Sequence, residues 1–411
     1  MTAATLESRT RWGVVMLGFL AGTVGMFQTA KMSVVLVDVQ RDIGLDLVEA
    51  SWTTTATSLL GAILGVQAGR ICGEFGLVRM LIASLIVSTL AAVVTALVSD
   101  PAIFFASRIV EGLGYLFICA ASPALMAAVA APRDKGVALS IWGAFVPVSV
   151  SLMSIAGPPI DAAYGWRVLF LASAAAVGVT AVLVILAVRD PEPFPRAAAG
   201  RIAAMAREAP GLHLRLYRSR PLMGLAIAFL SFAALQVGVI ALLPTYLITG
   251  AGLTAGEAGT VLSAITPFAI AGTVVAAVLQ KLRAPDLPSA FVAFAAMGLT
   301  SAGLFLVGGD MAALIGIGMA LFTAGGVVAS VIFASLSKRS DNASEMALYS
   351  GLIVQFGNMG ALTGAPILAS VAERWSWAAA PTAVVSMAAL GMVGVILARE
   401  QPAVRRGRTR G

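Results

Sequence analysis

The sequence predicts an all-α integral membrane protein with twelve transmembrane helices in two pseudo-symmetric six-helix bundles. Three observations carry that reading. Hydrophobic residues make up 59% of the 411 residues and charged residues 11%, with a mean hydropathy of +0.95; soluble domains carry about 25% charged residues. Apolar runs of spanning length, roughly 17 to 25 residues, recur along the whole chain, with no turn-bounded alternation of the kind strands show. Short signatures also return at a nearly constant offset. Gly44-Leu45 with Glu49-Ala50 returns as Gly252-Leu253 with Glu257-Ala258 (252 − 44 = 208), Ala138-Leu139 as Ala347-Leu348, Pro158 as Pro366 and Trp166 as Trp375. Each follows the same number of helices in its half, so the repeats are parallel, related by an axis along the membrane normal, with a central cavity between them.

In chain order the spans are 12–37, 49–68, 80–98, 102–131, 136–157 and 168–188, then 221–249, 257–280, 288–307, 311–336, 346–370 and 377–398. The first is longer than a signal-peptide core and has no small-residue cleavage site, so it reads as a retained helix. The chain divides into a first bundle (1–188), a linker (189–220), a second bundle (221–398) and a basic tail (399–411). Pro191, Pro193 and Pro195 and an Ala/Arg-rich stretch mark the linker as cytoplasmic, with an interfacial helix. With both termini cytoplasmic, Arg9, Arg11, Arg70, Arg79, Arg133, Lys135, Lys281, Arg283, Lys338, Arg339 and the linker and tail arginines all fall inside. Only Arg41, Arg167 and Arg374 fall outside. The net charge of +7 follows from this asymmetry and anionic membrane lipid, with no nucleic-acid partner required.

Several function classes drop out. Cys72 and Cys119 are the only cysteines and His213 the only histidine, which argues against a disulfide framework and a His/Cys zinc site. No Gly-rich phosphate loop ending in Lys-Ser/Thr is present, so the energy for any transport must come from a gradient or a partner. No nucleophile–base constellation suggests an enzyme, and no cofactor is expected.

Polar residues inside the spans are the candidate functional groups. Arg108, Glu111 and Tyr115 lie at i, i+3 and i+7, on one helix face. Charges at membrane depth cost several kcal/mol unless paired or facing a wet cavity, so this face reads either as a structural ion pair or as a coupling or substrate site. Gln28 and Lys31 share a face of the first helix. Lys31 there is a partner for an anion, or it snorkels outward past Asp38. Gln355 and Asn358 repeat the i, i+3 spacing in the eleventh helix, either as substrate contacts or as links between helices. Trp142 and Gln236 are further cavity candidates; Tyr246 reads as an interfacial anchor, and Glu49 and Glu257 as partners of helix N-termini.

The residues Gly69-Arg70-Ile71-Cys72-Gly73-Glu74-Phe75-Gly76-Leu77-Val78-Arg79 resemble the loop signature of the major facilitator superfamily. In that pattern glycines permit a tight turn and charges lock the halves on the cytoplasmic side. The match is degenerate: Gly73 stands where the family has an acid, Glu74 carries it one place later, and Val78 replaces a basic residue. Residues 108–112 resemble the superfamily's fourth-helix motif, tied to proton coupling, with Glu111 in place of the commoner glutamine. Gly165-Trp166-Arg167 leading to Phe170 resembles the opening of its sixth helix. Pro123-Ala124-Leu125-Met126, Ala138-Leu139-Ser140-Ile141-Trp142-Gly143 and Gln355-Phe356-Gly357-Asn358-Met359-Gly360 are similar to cyanate-permease-type members. The fifth-helix pattern of drug/proton antiporters is echoed only in its second part, Gly157-Pro158.

The resemblance implies a monomeric secondary transporter of the inner membrane, working by alternating access with protons as the coupling ion. Its expected cargo is a small, anionic solute near Lys31, Gln28, Gln355 and Asn358, while Glu111, held near Arg108, exchanges a proton. Gly69, Arg70, Gly73, Glu74, Gly76 and Arg79 form the gating loop. A drug or metabolite exporter of the same fold and a non-transporting membrane sensor are the alternatives.

Overall fold

In the computed structural model, which describes residues 9–45, 47–188 and 198–399, every span of the sequence reading is helical. Pro191, Pro193 and Pro195 and the basic tail beyond Arg399 lie outside the described residues, as does the side chain of Glu49. The first half comprises α1 (Trp12–Ile43), α2 (Leu47–Phe75), α3 (Leu77–Leu97), α4 (Pro101–Val129), α5 (Lys135–Trp142), α6 (Phe145–Tyr164) and α7 (Trp166–Ala187). The linker helix α8 (Ala198–Arg218) follows. The second half comprises α9 (Arg220–Thr249), α10 (Ala255–Ile265), α11 (Phe268–Lys281), α12 (Asp286–Leu304), α13 (Met311–Ser337), α14 (Ala343–Trp375) and α15 (Ala380–Leu397). Trp12, Leu47 and Lys135 open helices in the first half, and Arg220, Ala255 and Ala343 open their counterparts, each 208 residues on.

Local chemistry sets the helix ends. Asp100 accepts from the Ile103 amide (3.0 Å) and Pro101 opens α4, a residue whose missing N–H costs nothing there. Asp310 caps α13 and Asn342 caps α14 in the same way. Thr254 and Glu257 form a reciprocal capping box on α10. Gly76, at φ 97°, makes the turn from α2 into α3, a backbone conformation L side chains rarely adopt. The fifth and eighth spans, read from sequence as continuous, are each broken: α5 stops before Gly143-Ala144, and α10 stops before Thr266-Pro267, where Pro267 has no N–H to continue the ladder.

Eleven of the described helical stretches are long and apolar enough to cross a membrane, and large apolar side chains such as Leu90, Leu186 and Leu299 point outward from the bundle. A 21-residue span such as α3 covers about 31 Å, the thickness of a hydrocarbon core of about 30 Å. The chain is therefore a multi-pass membrane protein.

The halves meet mainly near the face that carries α8, the start of α1 and the end of α15. There α2 and α14 touch through their backbones: a Cβ on Gly69 would stand 2.2 Å from the Ala347 carbonyl oxygen, and one on Gly65 2.5 Å from that of Gly351. A second seam joins α5 to α11 and α13, with Gly136 against Gln280 and Gly143 against Ser330, whose hydroxyl donates to the Ser140 carbonyl (3.1 Å). Underneath, α8 ties both sides. Arg70 of α2 pairs with Glu208 and donates to the Met205 carbonyl (3.2 Å), Arg201 pairs with Glu74, and the Gln355 amide of α14 donates to the Tyr217 hydroxyl (3.3 Å). Of the residues expected to form a gating loop, Gly69 and Gly73 lie on α14, Arg70 and Glu74 hold α8, Gly76 makes the turn, and Arg79 stands in the first turn of α3.

Replacing Gly69 by Val drives a branched side chain into the Ala347 carbonyl. The expected outcome is a loss of about 1–3 kcal/mol of thermal stability together with faster backbone hydrogen exchange at residues 65–73 and 347–351, while α4 exchanges as before.

Candidate functional site

Above the closed seams lies a cavity of about 270 Å³ between the halves. Its walls come from α1 (Met26, Thr29), α4 (Tyr115, Cys119), α6 (Phe145, Val146), α9 (Phe229, Phe232, Gln236), α13 (Phe322, Phe333) and α14 (Asn358). Among the described residues no lining side chain is charged. Trp142 forms the floor, stacked on Phe145 at 4.2 Å and edge-on to Phe333 at 6.2 Å. Phe229 continues the aromatic wall, 5.6 Å from Phe333 and 5.5 Å from Phe232. Gln236 adds a polar group to this wall, with its Oε1 buried and, among the described residues, without a hydrogen-bond partner. Toward the face opposite α8, Val146, Val237 and Ile240 are 36%, 37% and 39% exposed, so the cavity opens on that side.

One layer behind the wall, inside the first half, sits an ion cluster. Lys31 of α1 and Arg108 and Glu111 of α4 all have fully buried side chains. Lys31 Nζ lies 3.2 Å from Glu111 Oε2 and 3.3 Å from Oε1. Arg108 pairs with Oε2, and the Thr95 hydroxyl of α3 donates to Oε1 (2.8 Å) while standing 2.7 Å from that of Ser107. Gln28 accepts from Lys31. The ammonium also lies 4.0 Å from the centroid of Phe170 on α7, a cation–π contact. Buried ions need paired, hydrogen-bonded surroundings, and four helices supply them here.

Each expected residue thus has a place. Tyr115, Trp142, Gln236 and Asn358 lie on the cavity; Gln28 and Lys31 do not, being sealed in the cluster, and Lys31 neither snorkels outward nor reaches the cavity. Gln355 lies in the closed seam, bonded to Tyr217 and the Val66 amide (3.3 Å). Tyr246, expected as an interfacial anchor, is instead packed between Phe305 (4.8 Å) and Trp377 (5.4 Å). Trp166 donates to Asp42 at the end of α1 and Trp377 to Thr249 at the end of α9, while Trp375, at the repeat offset from Trp166, is exposed. The aromatic wall was missed, although Phe229, Phe232 and Gln236 follow the i, i+3, i+7 spacing of one helix face. Thr95 and Ser107 carried no comparable signal.

The cluster makes a directional prediction. Glu111→Gln removes the carboxylate that pairs with both buried cations and is expected to cost about 3–5 kcal/mol, read as a fall in the unfolding midpoint in detergent; Thr95→Val removes one charged hydrogen bond and should cost about 1.5–3 kcal/mol. Equal, negligible effects would contradict the charge arrangement.

The comparisons with known proteins agree with this architecture. The puromycin resistance protein pur8 of Streptomyces alboniger is 26% identical over 165 residues, 39% of this chain and 32% of that protein. The chain thus aligns with about a third of that relative's length. The E. coli fucose:proton symporter FucP, in its outward conformation, superposes with a TM-score of 0.72 at 16% identity, covering 94% of this chain and 99% of that one. The human organic anion transporter MFSD10 gives 0.73 at 15% identity, covering 94% and 98%. These likenesses are to the fold. The Major Facilitator Superfamily profile matches residues 17–354, and the chain belongs to that superfamily of transporters.

Proposed function

We propose that the protein is a monomeric, gradient-driven transporter of a lipophilic organic solute with an aromatic or extended apolar body, moved by alternating access between the two halves. The observation that carries this reading is the cavity wall: six aromatic side chains, Tyr115, Phe145, Phe229, Phe232, Phe322 and Phe333, over a tryptophan floor, with Gln236 and Asn358 as neutral hydrogen-bonding groups. Such a wall favours apolar cargo and orients it through a few polar contacts. The name of the puromycin resistance relative points the same way. Lysine and arginine placement supports an inner-membrane orientation with both termini cytoplasmic, which makes the closed face cytoplasmic and the open face external. The coupling element is the Arg108–Glu111–Lys31 cluster, which shares α1 and α4 with the cavity wall.

A small anion of the kind cyanate-permease-type members suggest is the second reading. It is favoured by the surplus positive charge of that cluster, two cations to one carboxylate, and disfavoured by the uncharged wall.

A thermal-shift series on the purified protein separates the two. Puromycin at about 100 times its Kd is expected to stabilise the wild type by about 2.7 kcal/mol, with the shift lost in Phe232→Ala and Gln236→Ala. Stabilisation by inorganic or carboxylate anions alone, abolished by Lys31→Ala, would transfer the assignment to the anion.

A further inference from the structure

We propose that Lys31, rather than Glu111, is the group that takes up and releases the coupling proton, while Arg108 and Glu111 remain a permanently charged pair that holds it in place. This rests on the gradient-driven transporter reading and adds which atom carries the moving charge.

Glu111 is already surrounded by donors. Its Oε1 accepts from Thr95 and Lys31, and its Oε2 from Arg108 and Lys31. A proton placed on that carboxylate must displace one of these donors and leaves two cations facing each other out of water, where charges interact strongly. The guanidinium of Arg108 does not deprotonate in proteins. Lys31 is the remaining choice, and it solves the charge count. Loss of one proton, Lys31–NH3⁺ to Lys31–NH2 plus H⁺ released to water once a movement of α1 against α4 exposes the amine, leaves a neutral Arg108–Glu111 pair.

The surroundings suit both states of the amine. Protonated, it donates to Gln28 Oε1 and Glu111 and lies against the Phe170 ring. Deprotonated, its lone pair needs a donor, and the same amide carries one: Gln28 Nε2 is buried and has no hydrogen-bond partner among the described residues. Rotation of that amide matches it to the neutral amine. The charged groups acting on Lys31 are Glu111 and Arg108, both on α4. Its other contacts do not compete: Gln28 on α1 and Phe170 on α7, with Thr95 of α3 reaching the same carboxylate. Thr57 on α2 bonds Thr29 of α1 (3.3 Å), and Trp142 on α5 packs at Gly22. On α1 itself Asp38 lies two turns away, beyond the non-helical Val35 (φ −116°, ψ 15°), where it meets Asp161 of α6.

The link to cargo is geometric. Met26 and Thr29 of α1 lie in the cavity wall and Tyr115 of α4 faces them there, while Gln28 and Lys31 lie on the inner side of α1 and Glu111 one turn before Tyr115. A shift of α1 against α4 as cargo enters changes the Lys31–Glu111 separation. Drawn apart, the ammonium loses its counter-ion and its proton; brought together, it regains both.

Two measurements on the full-length protein test this. In potentiometric titration in detergent, the wild type should exchange a single proton more across neutral pH than either Lys31→Met or Lys31→Arg, with His213 and the terminal amine common to all three. In proteoliposomes, Lys31→Met should retain puromycin counterflow but lose accumulation driven by a pH gradient. A Lys31→Met protein that titrates like the wild type, or that still accumulates puromycin with the wild-type pH profile, overturns the proposal. If the wild type shows no puromycin counterflow yet the titration difference stands, the cargo reading fails and the Lys31 assignment is supported.

Discussion

Two helices from opposite halves approach to backbone contact where Gly65 and Gly69 of α2 meet Ala347 and Gly351 of α14, and the conformation of the whole molecule depends on that approach. In lipid there is no hydrophobic gain from joining apolar helices, so close packing of small residues supplies the association. With one face sealed in this way and underlaid by α8, the cavity must open on the other. The pairs of α2 and α8, Arg70–Glu208 and Arg201–Glu74, are more exposed and individually weak. They add register and orientation to a seal whose strength lies in the backbone contact.

The two halves have diverged in what they do with the same framework. Gln28 and Gln236 occupy equivalent places (236 − 28 = 208), yet the first serves Lys31 inside its bundle while the second faces the cavity. The counterpart of Lys31 is Val239 (239 − 31 = 208), fully apolar and buried. Buried charge is thus concentrated in the first half, while the aromatic wall draws on both, Tyr115, Trp142 and Phe145 from the first and Phe229, Phe232, Phe322 and Phe333 from the second, with α1 and α4 bridging charge to cavity. That division lets a titrating group act on transport without exposing a charge to apolar cargo.

Much of the fold was legible because hydrophobic run length and repeat register are one-dimensional properties. The helices and the pairing of their starts at an offset of 208 followed from the sequence. The candidate site was only partly legible, for a reason visible in α1. Gln28 and Lys31 are three residues from each other, but Met26 and Thr29 between and beside them face the cavity instead. An apolar helix with polar groups on two sides gives no internal sign of which side faces the other half. The same ambiguity hid Tyr246, whose position near a helix end suggested an anchor although its neighbours Phe305 and Trp377 come from distant segments. The break in the fifth span lies where Gly143 packs against Ser330 of the other half, a contact no local pattern records, whereas Pro267 marks the break in the eighth span in the sequence itself.

The central claim, that transport requires the α2–α14 seam to open, can be tested at one position. A Cβ on Gly73 would stand 3.0 Å from the Cβ of Ser344, close to the roughly 3.5–4.5 Å range of a disulfide. Gly73→Cys with Ser344→Cys, with Cys72 and Cys119 replaced by alanine, should cross-link under mild oxidation. The account predicts that puromycin counterflow in proteoliposomes stops on oxidation and returns on reduction; undiminished counterflow in the fully cross-linked protein would contradict it.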